Sequence, residues 1–160
     1  MTSNTEWRRI VASALDWEQA HVTLEGAVKG LAPPLRGRRP ERFPHSAWEL
    51  LEHIRLTQYD LLDFMRNPAY VESKWPEGYW PASPAPPSER AWSESIARIG
   101  DDRDALKQFA TGADLDLTAK IPHGTGQTYL RTVLVAVDHT AYHVGQIVAV
   151  RRLLGAWPSA

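Results

Sequence analysis

Apolar residues recur at helical spacing in four stretches of the chain, and prolines and glycines separate them. Trp7, Ile10, Val11, Ala14, Trp17, His21, Leu24 and Val28 fall three or four residues apart, which predicts a first helix from Thr5 to Lys29 ended by Gly30, Pro33 and Pro34. Leu50, Leu51, Ile54, Gln58, Leu61, Leu62 and Met65 trace one face of a second helix that runs to Arg66 and is stopped by Pro68. It opens with Ser46 and Glu49, an S-x-x-E pair in which each side chain satisfies an orphan amide of the first turn. Ser88 is the expected N-cap of a third helix carrying Trp92, Ile96, Ile99, Leu106 and Phe109 and ending near Gly112. Leu130, Val133, Val137, Ala141, Val144 and Val148 mark the last helix, from Thr128 to Leu154, before Gly155 and Pro158.

Each helix has one apolar stripe, and stripes must be buried against one another. The expected fold is all-α, a four-helix bundle with a long Pro/Trp-rich crossover between helices 2 and 3, in one domain over residues 1–160. The crossover, residues 67–87, holds Pro68, Pro76, Pro81, Pro84, Pro86 and Pro87 with Trp75, Tyr79 and Trp80. A tight helix–helix connection takes about 2–8 residues, so this segment is expected to pack its aromatics on the bundle. The preceding basic loop, with Arg36, Arg38, Arg39 and Arg42, reads as a solvated face, with an anion site as its alternative.

Composition narrows the chemistry. A formal net charge of -1 gives no basic excess with which to bind nucleic acid. Apolar runs such as Val133 to Val137 fall far short of the roughly 20 residues of a membrane span. No apolar signal segment is visible near Met1, so a cytoplasmic location is expected. There is no cysteine, which excludes disulfides, Cys-ligated zinc and a thiol nucleophile of the protein's own.

The chemistry then falls to histidine. His139 and His143 are four residues apart on the last helix, so their rings stand one turn apart on one face, where one ion can meet both. Thr140 occupies the place of the glutamate in H-E-x-x-H, so a metalloprotease reading lacks its general base. His53 flanks the stripe of the second helix in the same way, with Glu49 one turn before it and Asp60 two turns after. Three neutral imidazoles from two helices make a facial set with open positions, the arrangement of a catalytic zinc site. The plain alternative is a surface histidine beside Glu49. His21 falls in the stripe of the first helix with Glu18 and Glu25, which predicts a polar pocket at the bundle axis with His21 in its wall or behind a ligand. His45 reads as local structure and His123 as an exposed loop residue.

The segments His45-Ser46-Ala47-Trp48-Glu49-Leu50-Leu51-Glu52-His53-Ile54 and Asp138-His139-Thr140-Ala141-Tyr142-His143-Val144-Gly145-Gln146-Ile147, with Arg151-Arg152-Leu153-Leu154-Gly155 after them, resemble the DinB-like metal-binding four-helix bundles. That superfamily includes the bacillithiol transferases and is related to mycothiol-dependent maleylpyruvate isomerase. The resemblance implies a bundle of unusual helix order, a zinc or nickel ion on His53, His139 and His143, and a homodimer. It also implies a small-molecule substrate and an external low-molecular-weight thiol as cofactor. Trp75 and Trp80 are expected to lid the ion, or else to form a dimer contact. Three functions remain open: a metal-dependent thiol transferase, a metal-dependent hydrolase of a small amide or ester, and a non-enzymatic metal or small-molecule binding module of stress response.

Overall fold

The computed structural model describes residues 3–158, with side chains from Thr5 onward. Among the described residues there are six α-helices: α1 (Ser3–Ser13), α2 (Leu24–Val28), α3 (Pro33–Arg36), α4 (Ala47–Arg66), α5 (Glu89–Thr111) and α6 (Tyr129–Leu153). Single 3₁₀ turns follow α1 at Ala14–Asp16 and lie between α4 and α5 at Glu77–Tyr79. The fold is all-helical; among the described residues the only β pairing is an isolated bridge between Lys120 and Thr128.

The polar caps expected from the sequence form. Ser46 and Glu49 make both bonds of the capping box on α4. Ser88 caps α5 through the Ala91 amide; Thr128, read from the sequence only as the start of the last helix, caps α6 through the amide of Arg131. Gly155 follows α6 at φ 67, a left-handed conformation that glycine adopts without a Cβ penalty.

The expected first helix from Thr5 to Lys29 is not continuous. It ends at Asp16, and residues 17–23 run as loop before α2 begins at Leu24. Local and tertiary bonds outweigh the helical spacing. Thr23 acts as a new N-cap, its hydroxyl accepting the Gly26 amide. The Asp16 carboxylate turns to Lys107 on α5 at 2.5 Å. Trp17, placed by periodicity on the core face, is 42% exposed instead. Four residues of the basic loop, Pro33–Arg36, form the short α3 with proline at its first helical position, where the missing amide costs nothing.

Two packed clusters make the core. In one, Leu50, Leu51 and Ile54 of α4 meet Val144, Ile147 and Val150 of α6, with Leu24, Ala27 and Val28 of α2 and Trp92 and Ile99 of α5. The other gathers Leu15, Leu62, Met65, Leu106, Ile121, Val133 and Ala136. Burying each large aliphatic side chain is worth about 1.5–3 kcal/mol. By length and composition α6 is apolar enough to cross a membrane, which short apolar runs did not suggest; in the structure its apolar side packs on α4.

Two buried arginines tie the break in the first helical stretch to the rest. Arg8 donates to the carbonyls of Ala110, Gly112 and Leu115 at the end of α5. Arg151, 2% exposed, donates to Ala27 and Lys29 at the end of α2 and to Ala156 after α6. Replacing Arg151 with methionine keeps much of the stem packing and leaves those carbonyls without a donor. Arg151→Met is therefore expected to lower the unfolding free energy by about 3 kcal/mol in urea titration, since buried orphaned carbonyls carry their full desolvation cost.

Candidate metal centre

α4 and α6 present three histidines to one point. His53 is 3% exposed and His143 7% exposed. The ring centroids are 4.9 Å apart for His53 and His139, 4.7 Å for His53 and His143, and 4.4 Å for His139 and His143. The Nε2 atoms of His53 and His139 lie 3.1 Å apart, as do those of His139 and His143.

Each ring is oriented from behind by an acceptor on its other nitrogen. His53 donates its Nδ1–H to the Tyr79 carbonyl at 2.7 Å. His143 donates its Nδ1–H to Oε1 of Gln146 at 2.7 Å. Thr57 gives its single hydroxyl proton to the His53 carbonyl at 2.7 Å, which leaves its oxygen to accept from Nδ1 of His139 at 3.2 Å. With every Nδ1 protonated and engaged, all three Nε2 lone pairs face one another. Three acceptors with no donor among them repel. One shared proton can relieve a single contact, whereas a cation relieves them all.

The spacing fits a divalent ion. At the zinc–imidazole distance of about 2.0–2.1 Å, two nitrogens on one ion are about 2.9 Å apart at a right angle and about 3.3 Å apart at a tetrahedral one. The observed 3.1 Å falls between. The rings also stay neutral, as ligands must. Burial, then the charges of the other two rings, push His139 down to about 3. Burial pushes His143 down to about 4, against the opposing Gln146 bond, and burial also lowers His53.

The segment between α4 and α5 builds one wall. Trp80 stacks on His53 with ring centroids 4.0 Å apart and planes 4° apart, and His45 stacks on its other face at 4.2 Å. His45, read from the sequence as local structure, is thus the outer layer of an imidazole–indole–imidazole stack. Trp75 meets His53 edge-on at 6.4 Å but is 64% exposed, so it stands at the mouth of the site and not over it. A cleft of about 320 Å³ opens there, lined by His53, His139, Asp60, Glu72, Trp75 and Tyr79 among others.

Two expected neighbours lie elsewhere. His21 is an exposed loop residue whose Nδ1 pairs with the carbonyl of Val22, and it borders the opposite side of α6 near Thr140 and Val144. A pocket with polar walls does border His21, lined by Asp16, Thr23, Gln58, Arg103 and Thr140 among others, but it lies away from the three histidines, and neither Glu18, which is exposed, nor Glu25, which pairs with Arg103 at 2.7 Å, lines it. Glu49 is spent on the capping box and on Arg39. Burial works to raise its pKa, but Arg39 and Ser46 hold it below the usual carboxylate range. Arg36 is likewise engaged, on Glu89 and over the Trp92 ring, so half of the basic loop is committed to internal pairs. The residues that sequence reasoning missed are the orienting ones, Tyr79, Thr57 and Gln146. Thr57 and Gln146 carried a readable signal, one turn after His53 and three residues after His143. The Tyr79 carbonyl carried none.

A family model for the DinB superfamily matches residues 16–147. The chain belongs to the DinB superfamily. Members of this superfamily generally bind metal, and the three histidines of this DinB chain are a group that could hold an ion. Comparisons with curated proteins and with solved structures give no significant match.

The depressed histidines make stability depend on pH. Their folded values lie below the ordinary 6.5, so between the two the unfolded chain binds more protons. In chelator-treated protein, the urea midpoint is therefore expected to fall as pH drops from 6.5 toward about 4. His139→Gln should flatten that dependence; an unchanged slope would show that these rings are not buried neutral bases.

Proposed function

We propose that the protein is a metal-dependent transferase that activates a low-molecular-weight thiol at His53, His139 and His143 and joins it to an electrophilic small molecule. The observation that carries this reading is the convergence of three lone pairs whose Nδ1 atoms are all engaged elsewhere. A carboxylate-free imidazole set suits zinc or nickel and disfavours magnesium and calcium. When bound, such an ion lowers the pKa of a thiol and so supplies a nucleophile at neutral pH. The chain has no cysteine, so the sulfur comes from outside.

The chain's own residues hold the site ready. Tyr79, Thr57 and Gln146 keep the ligand nitrogens bare, and Trp80 covers one face of His53. The thiol proton leaves to solvent and the sulfur lone pair makes the new C–S bond. The leaving group departs with its bonding electrons, or, in an addition, the carbon takes up a proton. The same reading takes α1, α4, α5 and α6 as a four-helix bundle with residues 67–87 as its crossover, supported by the packing of α4 on both α5 and α6. Hydrolysis of a small amide or ester is a second reading, and the Asp60 carboxylate in the cleft favours it as a proton acceptor for water.

Metal analysis after dialysis is expected to find close to one divalent ion per wild-type chain and a large loss in His139→Ala; equal retention would overturn the three-histidine site. With the metal site established, conjugation of an electrophilic dye by a panel of small thiols should be metal-dependent. Turnover that needs no thiol would move the assignment to hydrolysis. A metal-dependent rate absent across the whole panel would leave a binding protein, recognised by a ligand that raises thermal stability and is recovered unchanged.

A further inference from the structure

Eight consecutive residues between α4 and α5, 71–78, are exposed, yet the chain leaves this excursion to deliver a backbone carbonyl to Nδ1 of a buried histidine. An exposed loop holds such a position only if its ends are brought together and fixed. The residues on either side of it are Tyr70, half-buried, and Tyr79, 7% exposed. Their phenols converge on one carboxylate. Tyr70 donates its hydroxyl to Oδ1 of Asp60 at 2.9 Å, and the hydroxyl of Tyr79 approaches the same group and favours its charged form. Asp60 belongs to α4, seven residues after His53, which places it about 10.5 Å further along the same face.

The loop itself is bonded inward. Gly78 donates its amide to the Lys74 carbonyl at 2.7 Å and Tyr79 donates to that of Pro76 at 3.0 Å, so residues 74–79 form one turn that moves as a unit. Tyr79 ties this turn to α4 at two points, its phenol at Asp60 and its carbonyl at His53. Tyr70 is held in place by Phe64, whose ring meets it edge-on at 5.2 Å. Burial raises the pKa of Asp60; Tyr70 and Tyr79 oppose this, while the charges of Glu72 and Asp63 add to it. The two phenols therefore offset the cost of keeping a carboxylate at this place, and the carboxylate in return holds both ends of the loop.

We propose that Asp60 is a positioning residue for the histidine site: through Tyr70 and Tyr79 it closes the neck of residues 71–78 and so holds the Tyr79 carbonyl that keeps the His53 proton on Nδ1 and leaves Nε2 bare. The consequence for a metal rests on the three-histidine reading; the consequence for the His53 ring does not. His143 and His139 take their orientation from Gln146 and Thr57, which lie on α6 and α4 and not on the loop. The influence of Asp60 is thus directed at one ring of the three.

Ring-nitrogen NMR of metal-free protein at neutral pH reads the tautomer of each histidine. Asp60→Ala is expected to give a mixture of tautomers at His53, while His143 keeps its proton on Nδ1. Zinc affinity should fall about tenfold in the same variant, the usual size of loss when the group orienting a ligand imidazole is disturbed. Asp60→Asn still offers an oxygen to both phenols, so it should restore a single His53 tautomer and bring zinc affinity to within about threefold of wild type. If Asp60→Ala fails to fold, the double substitution Tyr70→Phe with Tyr79→Phe removes both hydroxyls, leaves the carbonyl in the chain, and should give the same mixture. A His53 that keeps its Nδ1 proton in folded Asp60→Ala or in the double variant overturns the proposal. Equal disturbance of His53 and His143 also overturns it, since that is general loosening of the fold. Failure of wild type to take up zinc overturns the metal reading alone, because the tautomers are read without metal.

Discussion

Leu50, Leu51 and Ile54 of α4 press against Val144, Ile147 and Val150 of α6 in the driest part of the molecule, and the three histidines ride on the edge of that contact. Close packing is what makes the arrangement precise. Side chains in a dense interior sit in defined rotamers and resist small displacements, so the backbones that carry the rings hold a fixed separation. His53 precedes Ile54 and His143 precedes Val144, so each of these rings projects from a position adjoining a core residue. The apolar seam sets where the rings are, and the Nδ1 partners set which way they face.

The charge pattern follows from the same placement. Burial penalises the protonated form of each ring, and a charge on one ring disfavours a charge on its neighbours, which is why all three are depressed as bases. The cleft continues this theme with opposite sign, since Asp60 sits where burial and neighbouring acids disfavour its charge. Both ends of the space are thus electron-rich and short of positive partners. The basic residues that might have answered them, Arg36 and Arg39, are held on Glu89 and Glu49 at the N-terminal ends of α5 and α4.

Much of this was legible in the order of residues. The starts of α4 and α5 were readable because Ser46 and Ser88 announce them by local hydrogen bonding, which needs no tertiary knowledge, and that of α6 from the onset of its apolar spacing. The grouping of His53, His139 and His143 was readable because helical spacing puts each on the flank of an apolar stripe. The break after Asp16 was not, since it depends on Lys107, about ninety residues away, and on a cap at Thr23 that competes with an unbroken apolar rhythm. The stack of His45 on Trp80 was hidden for a similar reason: the fold of a proline-rich segment decides which ring meets which. The capping role of Glu49 was legible in the S-x-x-E pair, whereas its pairing with Arg39 and the loop position of His21 were not, because helix phase is silent about loops and about partners on other elements.

The Tyr79 carbonyl that fixes the tautomer of His53, and the indole of Trp80 that lies flat on it, come from outside the long helices. The site is therefore not finished when α4 and α6 have docked. Residues 67–88 must be in place for His53 to present the correct nitrogen, and a rotated ring would in turn release the segment's hold. Loop order and ring orientation are two faces of one linked equilibrium. Whatever occupies the histidines fastens the loop as well, so the surface that proteases and amide exchange would sample beside α4 becomes a gauge of what happens at the imidazoles beneath it.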